Sequence, residues 1–173
     1  MKSYEQEFAG SFPSAEIRDL KIENRFESEK PLRYTFHLTV PNYVQRTQTR
    51  VFFQPGVFEF GRTAIFPSEQ RKYDIHFPFA WAEQDEVTIT FPEGFELENT
   101  TSPNAVADRN GLASLKVNLS ADMSERMIRY RRDFHFGEGT ILFKASAYPA
   151  IKKLFDLFLQ TDQHVIALRR TAE

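Results

Sequence analysis

Hydrophobic and polar residues alternate along much of this chain with a period of two, the signature of strands with one buried face. Residues 32–40 show it most cleanly, with Leu32, Tyr34, Phe36, Leu38 and Val40 on one face and Arg33, Thr35, His37 and Thr39 on the other. Ahead of them, residues 15–24 read as a strand in which the alternation of Ile17, Leu20 and Ile22 slips once, as a bulge would make it. Residues 46–54 read as a further strand closed by Pro55-Gly56, and residues 73–79 as another, with Tyr73, Ile75, Phe77 and Phe79 on one side. Between them, the aromatic stretch 57–66 around Gly61 reads as a loop that lays rings over an open sheet end. Residues 86–91 point Val87, Ile89 and Phe91 inward, Pro92-Glu93-Gly94 turns the chain, and Phe95 and Leu97 mark a short strand. Asn110-Gly111 predicts a type I′ turn, since both central positions of that turn need positive φ. It would join 106–109 to 112–119, where Leu115, Val117 and Leu119 alternate. Residues 126–136 then carry Ile128, Tyr130, Phe134 and Phe136 inward, with Arg132 interrupting them, and residues 165–168 form a last short strand.

One segment departs from period two. From Ser146 to about Gln160 the apolar residues Tyr148, Ile151, Leu154, Phe155, Phe158 and Leu159 recur at helical spacing, with Lys152, Lys153 and Asp156 on the other side. Ser146 is the expected N-cap, and Pro149 is tolerated because first-turn amides have no partner within a helix. The pattern predicts an antiparallel β-sandwich, mainly all-β, with one amphipathic C-terminal helix over about residues 147–160 packed on it. Residues 13–170 are expected to form this domain, after an N-terminal extension or connector remnant over residues 1–12.

Composition sharpens the core. Eighteen phenylalanines stand against seven glycines, and a buried ring removes on the order of 150–250 Å² from water, so ring packing dominates a thin core. The formal net charge is −2, with 22 basic and 24 acidic residues. That balance argues against a nucleic-acid partner, which calls for a basic face. The chain contains no cysteine, which excludes disulfides, thiolate metal sites and a cysteine nucleophile. It has no apolar run of the roughly 20 residues that a membrane-spanning helix needs, nor a signal-like apolar segment at its start, so membrane insertion is not expected.

Candidate chemistry is sparse. No G-x-S-x-G elbow is present, and Gly137-Glu138-Gly139 lacks the rest of a phosphate-cradling loop. The histidines His37, His76, His135 and His164 lie far apart with no metal-binding spacing. Asp85-Glu86 beside Trp81 invites a glycosidase reading, but neighbouring strand residues face opposite ways and cannot flank one bond. The pair reads instead as a polar turn before a strand. Arg126, Arg129, Arg131 and Arg132 form a basic run, yet Arg129 and Arg131 share one face and Arg132 lies on the other, which suits a solvated or ion-paired strand. These readings predict no catalytic residue, no cofactor and no metal. Phe79 and Trp81 leave two readings open: core packing at one end of the sandwich, or a docking patch for carbohydrate or peptide.

Several stretches taken together carry a resemblance. They are Phe12-Pro13-Ser14-Ala15-Glu16-Ile17, Pro31-Leu32-Arg33-Tyr34 running to Val40-Pro41-Asn42-Tyr43, and Arg71-Lys72-Tyr73-Asp74 through Phe77-Pro78-Phe79. Phe91-Pro92-Glu93-Gly94-Phe95, Tyr148-Pro149-Ala150-Ile151-Lys152-Lys153-Leu154-Phe155 and Val165-Ile166-Ala167-Leu168-Arg169-Arg170 complete the set. Over about residues 12–170 the chain resembles the C-terminal β-domain of bacterial transglutaminase-like proteins, whose central core is papain-like. The resemblance implies a non-catalytic accessory domain, partnered by upstream transglutaminase-like domains of a parent chain at the periplasm or cell surface. The Cys-His-Asp arrangement of such cores has no counterpart in a chain without cysteine.

Overall fold

The computed structural model describes residues 14–99 and 101–171, and the connector expected over residues 1–12 lies outside them. The chain divides into two compact units, Met1–Val44 and Gln45–Glu173. In the first, β1 (Glu16–Glu23) pairs antiparallel with β2 (Arg33–Thr39). Three steps on β1 from Arg18 to Lys21 oppose two on β2, and Asp19 takes a positive φ of 56° inside that slip. This is the bulge that the broken alternation indicated. Tyr34, Phe36 and Leu38 share the half-buried face of β2.

The second unit is built around a four-stranded antiparallel sheet. Its order is β6 (Trp81–Thr90), β10 (Met127–Phe136), β9 (Ala113–Asp122) and β8 (Val106–Ala107). A second antiparallel sheet runs β3 (Gln45–Arg46), β4 (Arg50–Phe53), β12 (Ile166–Arg170), β7 (Phe95–Leu97). A two-stranded ladder joins β5 (Ile75–His76) to β11 (Leu142–Phe143). Among the described residues the one α-helix is α1 (Tyr148–Asp162), which follows a 3₁₀ turn at Ala145–Ala147. The chain is thus mainly β, with antiparallel sheets and one C-terminal helix, as the pattern predicts. Among the described residues no helix is long and apolar enough to cross a membrane.

The inner face of β10 explains how the layers meet. Ile128, Tyr130, Arg132, Phe134 and Phe136 all point inward and all are buried. At one end Ile128 joins Phe91, Ile166 and Leu168, with Val51 and Phe53 against them, so the second sheet covers this half. At the other end the rings of Phe134 and Phe136 meet α1, with Phe134 at 5.3 Å from Phe158 and Phe136 at 4.9 Å from Phe155. One sheet face therefore carries two covers, and Arg132 lies at the seam between them.

Several local expectations are corrected. Residues 46–54 are not one strand but a hairpin, β3 to β4. Its turn is held by Thr47 N donating to Arg50 O at 2.8 Å and Arg50 N donating to Thr47 Oγ1 at 3.0 Å. Only Ile75 and His76 of residues 73–79 form strand. Asn110-Gly111 does not make a type I′ turn, since Gly111 has positive φ and Asn110 does not. Asp108 N donates to Ala113 O at 2.9 Å and the Asp108 carboxylate accepts from Asn110 N at 2.8 Å, which holds a longer loop. Ser146 does not cap the helix. It lies in the 3₁₀ turn, which Asp74 holds by accepting from Ala145 N at 2.9 Å. Asp85-Glu86 is no turn either, because β6 begins at Trp81 and runs straight through it.

Candidate functional site

The alternation of β6 sends Glu83 and Asp85 inward beside Trp81, Val87 and Ile89, and sends Glu86 outward. Register pairs Arg132 of β10 directly with Asp85 and Phe134 with Glu83. The Arg132 guanidinium, 2% exposed, is thereby brought among four carboxylates from three segments. Arg132 Nε donates to Asp162 Oδ1 at 2.7 Å and Nη2 to Asp162 Oδ2 at 3.1 Å, a two-pronged clamp from the last residue of α1. Arg132 Nη1 donates to Glu83 Oε2 at 2.8 Å and to Asp85 Oδ2 at 3.4 Å. Glu59 Oε2, from the 3₁₀ turn Val57–Glu59, stands 3.8 Å from Arg132 Nη2. Arg62 adds a second cation, 2.9 Å from Glu59.

Burial opposes charge throughout this cluster. It pushes the Glu59 carboxyl up to about 7 against the pull of Arg132 and Arg62. Burial also holds the Asp162 and Asp85 carboxyls above the usual range, despite Arg132. For Arg132 itself burial favours the neutral form, yet Asp162 and its neighbours more than offset this and keep the guanidinium charged. Tyr130, next inward along β10, is likewise raised by burial and by Asp162, and its hydroxyl has no hydrogen-bond partner.

The sequence-derived docking residues part company. Phe79 is 62% exposed, whereas Trp81 is half-buried among rings, 4.9 Å from Phe136 and 5.6 Å from Phe134. The basic run divides as its spacing indicates. Arg131 pairs outward with Glu86 at 2.7 Å and Asp133 at 2.8 Å, while Arg132 turns in. The four histidines sit on β2, on β5, on β10 and before β12. His135 Nδ1 lies 3.0 Å from Ser114 Oγ, with Glu138 3.8 Å from its other nitrogen. Ser114 and His135 are directly opposed in the β9–β10 register, so this contact is a cross-strand pair on the outer sheet face. The strands beneath it are paired along the ladder. Among the described residues no three histidine or carboxylate side chains converge as a metal site.

Sequence reasoning noticed Arg132 as an interruption of the inner face and as the member of the basic run on the other side of an ion-paired strand, and missed Glu59, Glu83, Asp85 and Asp162 as its partners. The available signal was the period-two run Trp81, Glu83, Asp85, Val87, Ile89, in which two acids occupy inward positions.

The family model for a domain of unknown function with a solved structure (DUF3858) matches residues 49–168, and the chain belongs to that family. No curated protein matches it. Among solved structures it is similar to a Parabacteroides distasonis protein described as a "putative protease", at 14% identity and a TM-score of 0.53. The match covers 72% of this chain and 24% of that one, and shows a shared fold.

Proposed function

We propose that this DUF3858-family domain is a non-catalytic accessory module of a bacterial transglutaminase-like protein, packing against or presenting partners to a core in the same parent chain. The observation that carries the reading is the engagement of the charged groups with one another. The inward arginine is held by Asp162, Glu83 and Asp85, and Ser114 with His135 forms a cross-strand pair on an open sheet face. The reading is supported by the resemblance of residues 12–170 and by a fold-level neighbour in which the matched part is 24% of a longer chain. The same resemblance supports a periplasmic or cell-surface setting for the parent. Incubation of the chain with peptide and glutaminyl substrates tests the proposal, with no turnover expected. Turnover that disappears in Ser114→Ala or His135→Ala would overturn it.

A second reading, a carbohydrate- or peptide-binding module, is favoured by the exposure of Phe79 just ahead of β6. Titration of glycans and cell-wall peptides against native chain and Phe79→Ala separates the two.

A further inference from the structure

We propose that the backbone at Arg71-Lys72-Tyr73 is a cleavage site for an endoprotease of basic specificity, and that the cut chain keeps its fold. These residues belong to the stretch 67–74, which lies between Phe66 and β5. The whole stretch is exposed and contains neither helix nor strand. Three observations converge on a protease.

The first is the backbone. An extended peptide is bound largely through its own main-chain N–H and C=O groups, so a site of cleavage must have them free. Among the described residues, 69–73 form no backbone hydrogen bond. Drawing them into a protease cleft therefore breaks no ladder and no helical turn. The second is the basic pair. Arg71 and Lys72 are consecutive, and among the described residues neither forms an ion pair or a hydrogen bond. A specificity pocket floored by a carboxylate takes such a side chain. Basic residues in the other loops are engaged. Lys30 pairs with Glu27, Arg62 with Glu59, Arg126 with Glu93 and Lys144 with Asp74. Arg109 lies in the tight turn where Gly111 N donates to Asp108 O at 3.2 Å.

The third is the anchoring of both flanks. On one side the buried Phe66 ring stands 5.4 Å from Phe155 and 5.6 Å from Tyr148, and the Tyr148 hydroxyl donates to Ser68 O. On the other side Asp74 accepts from Lys144 Nζ at 3.0 Å and from Ala145 N at 2.9 Å. A cut after Arg71 or Lys72 removes none of these contacts. It also leaves β4, from the first piece, paired with β12 of the second. The step is a hydrolysis. The peptide C–N bond breaks, and water supplies the hydroxyl of the new carboxyl group and the proton of the new amine. The inference is independent of the accessory role proposed above, since it concerns what acts on this chain and not what the chain does.

Limited digestion of the native chain with trypsin, followed by mass spectrometry, tests the proposal. The first products are expected to be two fragments meeting at residues 71–73, co-eluting as one species on a native sizing column. Cleavage through global unfolding would instead release fragments from many basic positions together. The double variant Arg71→Gln, Lys72→Gln should slow this first cut by at least about a hundredfold, whereas Arg109→Gln should leave its rate unchanged. The proposal is overturned by a first cut elsewhere, by fragments that separate on the native column, or by a double variant cut at the original rate.

Discussion

Arg132 occupies an inward strand position where its neighbours are Tyr130 and Phe134, and its guanidinium also lies 5.2 Å from the Phe134 ring centre. A buried ion pair is weak evidence of net stabilisation, but removing one partner is costly because the other charges stay buried. Arg132→Met is therefore expected to lower unfolding free energy at pH 7 by about 3–5 kcal/mol, read by urea denaturation. Glu59 gives the cluster a pH dependence of known sign. Its carboxyl titrates near 7 in the folded chain against an ordinary 4.5, so between those values the folded state holds a proton that the unfolded chain has released. The stability this contributes is complete below about pH 4.5 and is lost as pH rises through about 7. Arg132, Arg62, Asp162 and Glu83 face the same carboxyl and shape the total profile. The informative quantity is thus the difference between native chain and Glu59→Gln, whose urea midpoints should converge toward low pH and part as pH rises. At this scale the arginine was visible in the sequence as a break in alternation. Its partners were not, because Glu59, Glu83, Asp85 and Asp162 are separated along the chain and meet only through register and helix length.

Among the elements, those with long local patterns were readable. The α1 stripe of Tyr148, Ile151, Phe155 and Phe158 is buried as its spacing requires, and β9 and β10 keep the alternation their residues show. Phe155 engages several rings of this layer, stacked on Phe77 at 5.7 Å and edge-on to Phe66 at 5.4 Å. Phe155→Ala should cost about 3–5 kcal/mol, read as a lowered urea midpoint. The helix also runs past Gln160, and that extra reach is what delivers Asp162 to Arg132. Nothing local in Thr161-Asp162-Gln163 marks it, since the stop is set by a tertiary contact. The turn after β10 has a different constraint. Gly137 adopts a φ of 92°, and a Cβ there would come within 2.9 Å of the Ala80 backbone. Gly137→Ala should therefore lower the melting temperature, whereas Gly139→Ala, also at positive φ but with open space around it, should lower it less. The β3–β4 turn escaped notice because Gln48-Thr49 carries neither glycine nor proline, the usual punctuation.

Across the molecule, stability is expected to be uneven. β1 and β2 form a two-stranded ladder without a fully buried residue, whereas β9 and β10 are interior strands with buried inner faces. Amide hydrogens of β1 and β2 should therefore exchange well before those of β9 and β10, measured by hydrogen–deuterium exchange. Fold class followed from alternation plus one helical stripe, and both are properties of neighbouring residues. The shared face of β10, with a sheet over one half and a helix over the other, depends on which strands pair across long separations, and no local pattern encodes that. The acids of β6 have a consequence for the chain in company with its own copies. β6 is the outermost strand of its ladder, and a long outer strand is a template on which further chains can stack into fibrils. Two of its inward side chains are carboxylates that Arg132 and Arg62 of the same chain neutralise. A stack built from β6 segments alone, each stripped from its own β10, would align the acids without those arginines and repel itself. The residues that make the seam polar thus also favour solubility over fibre growth.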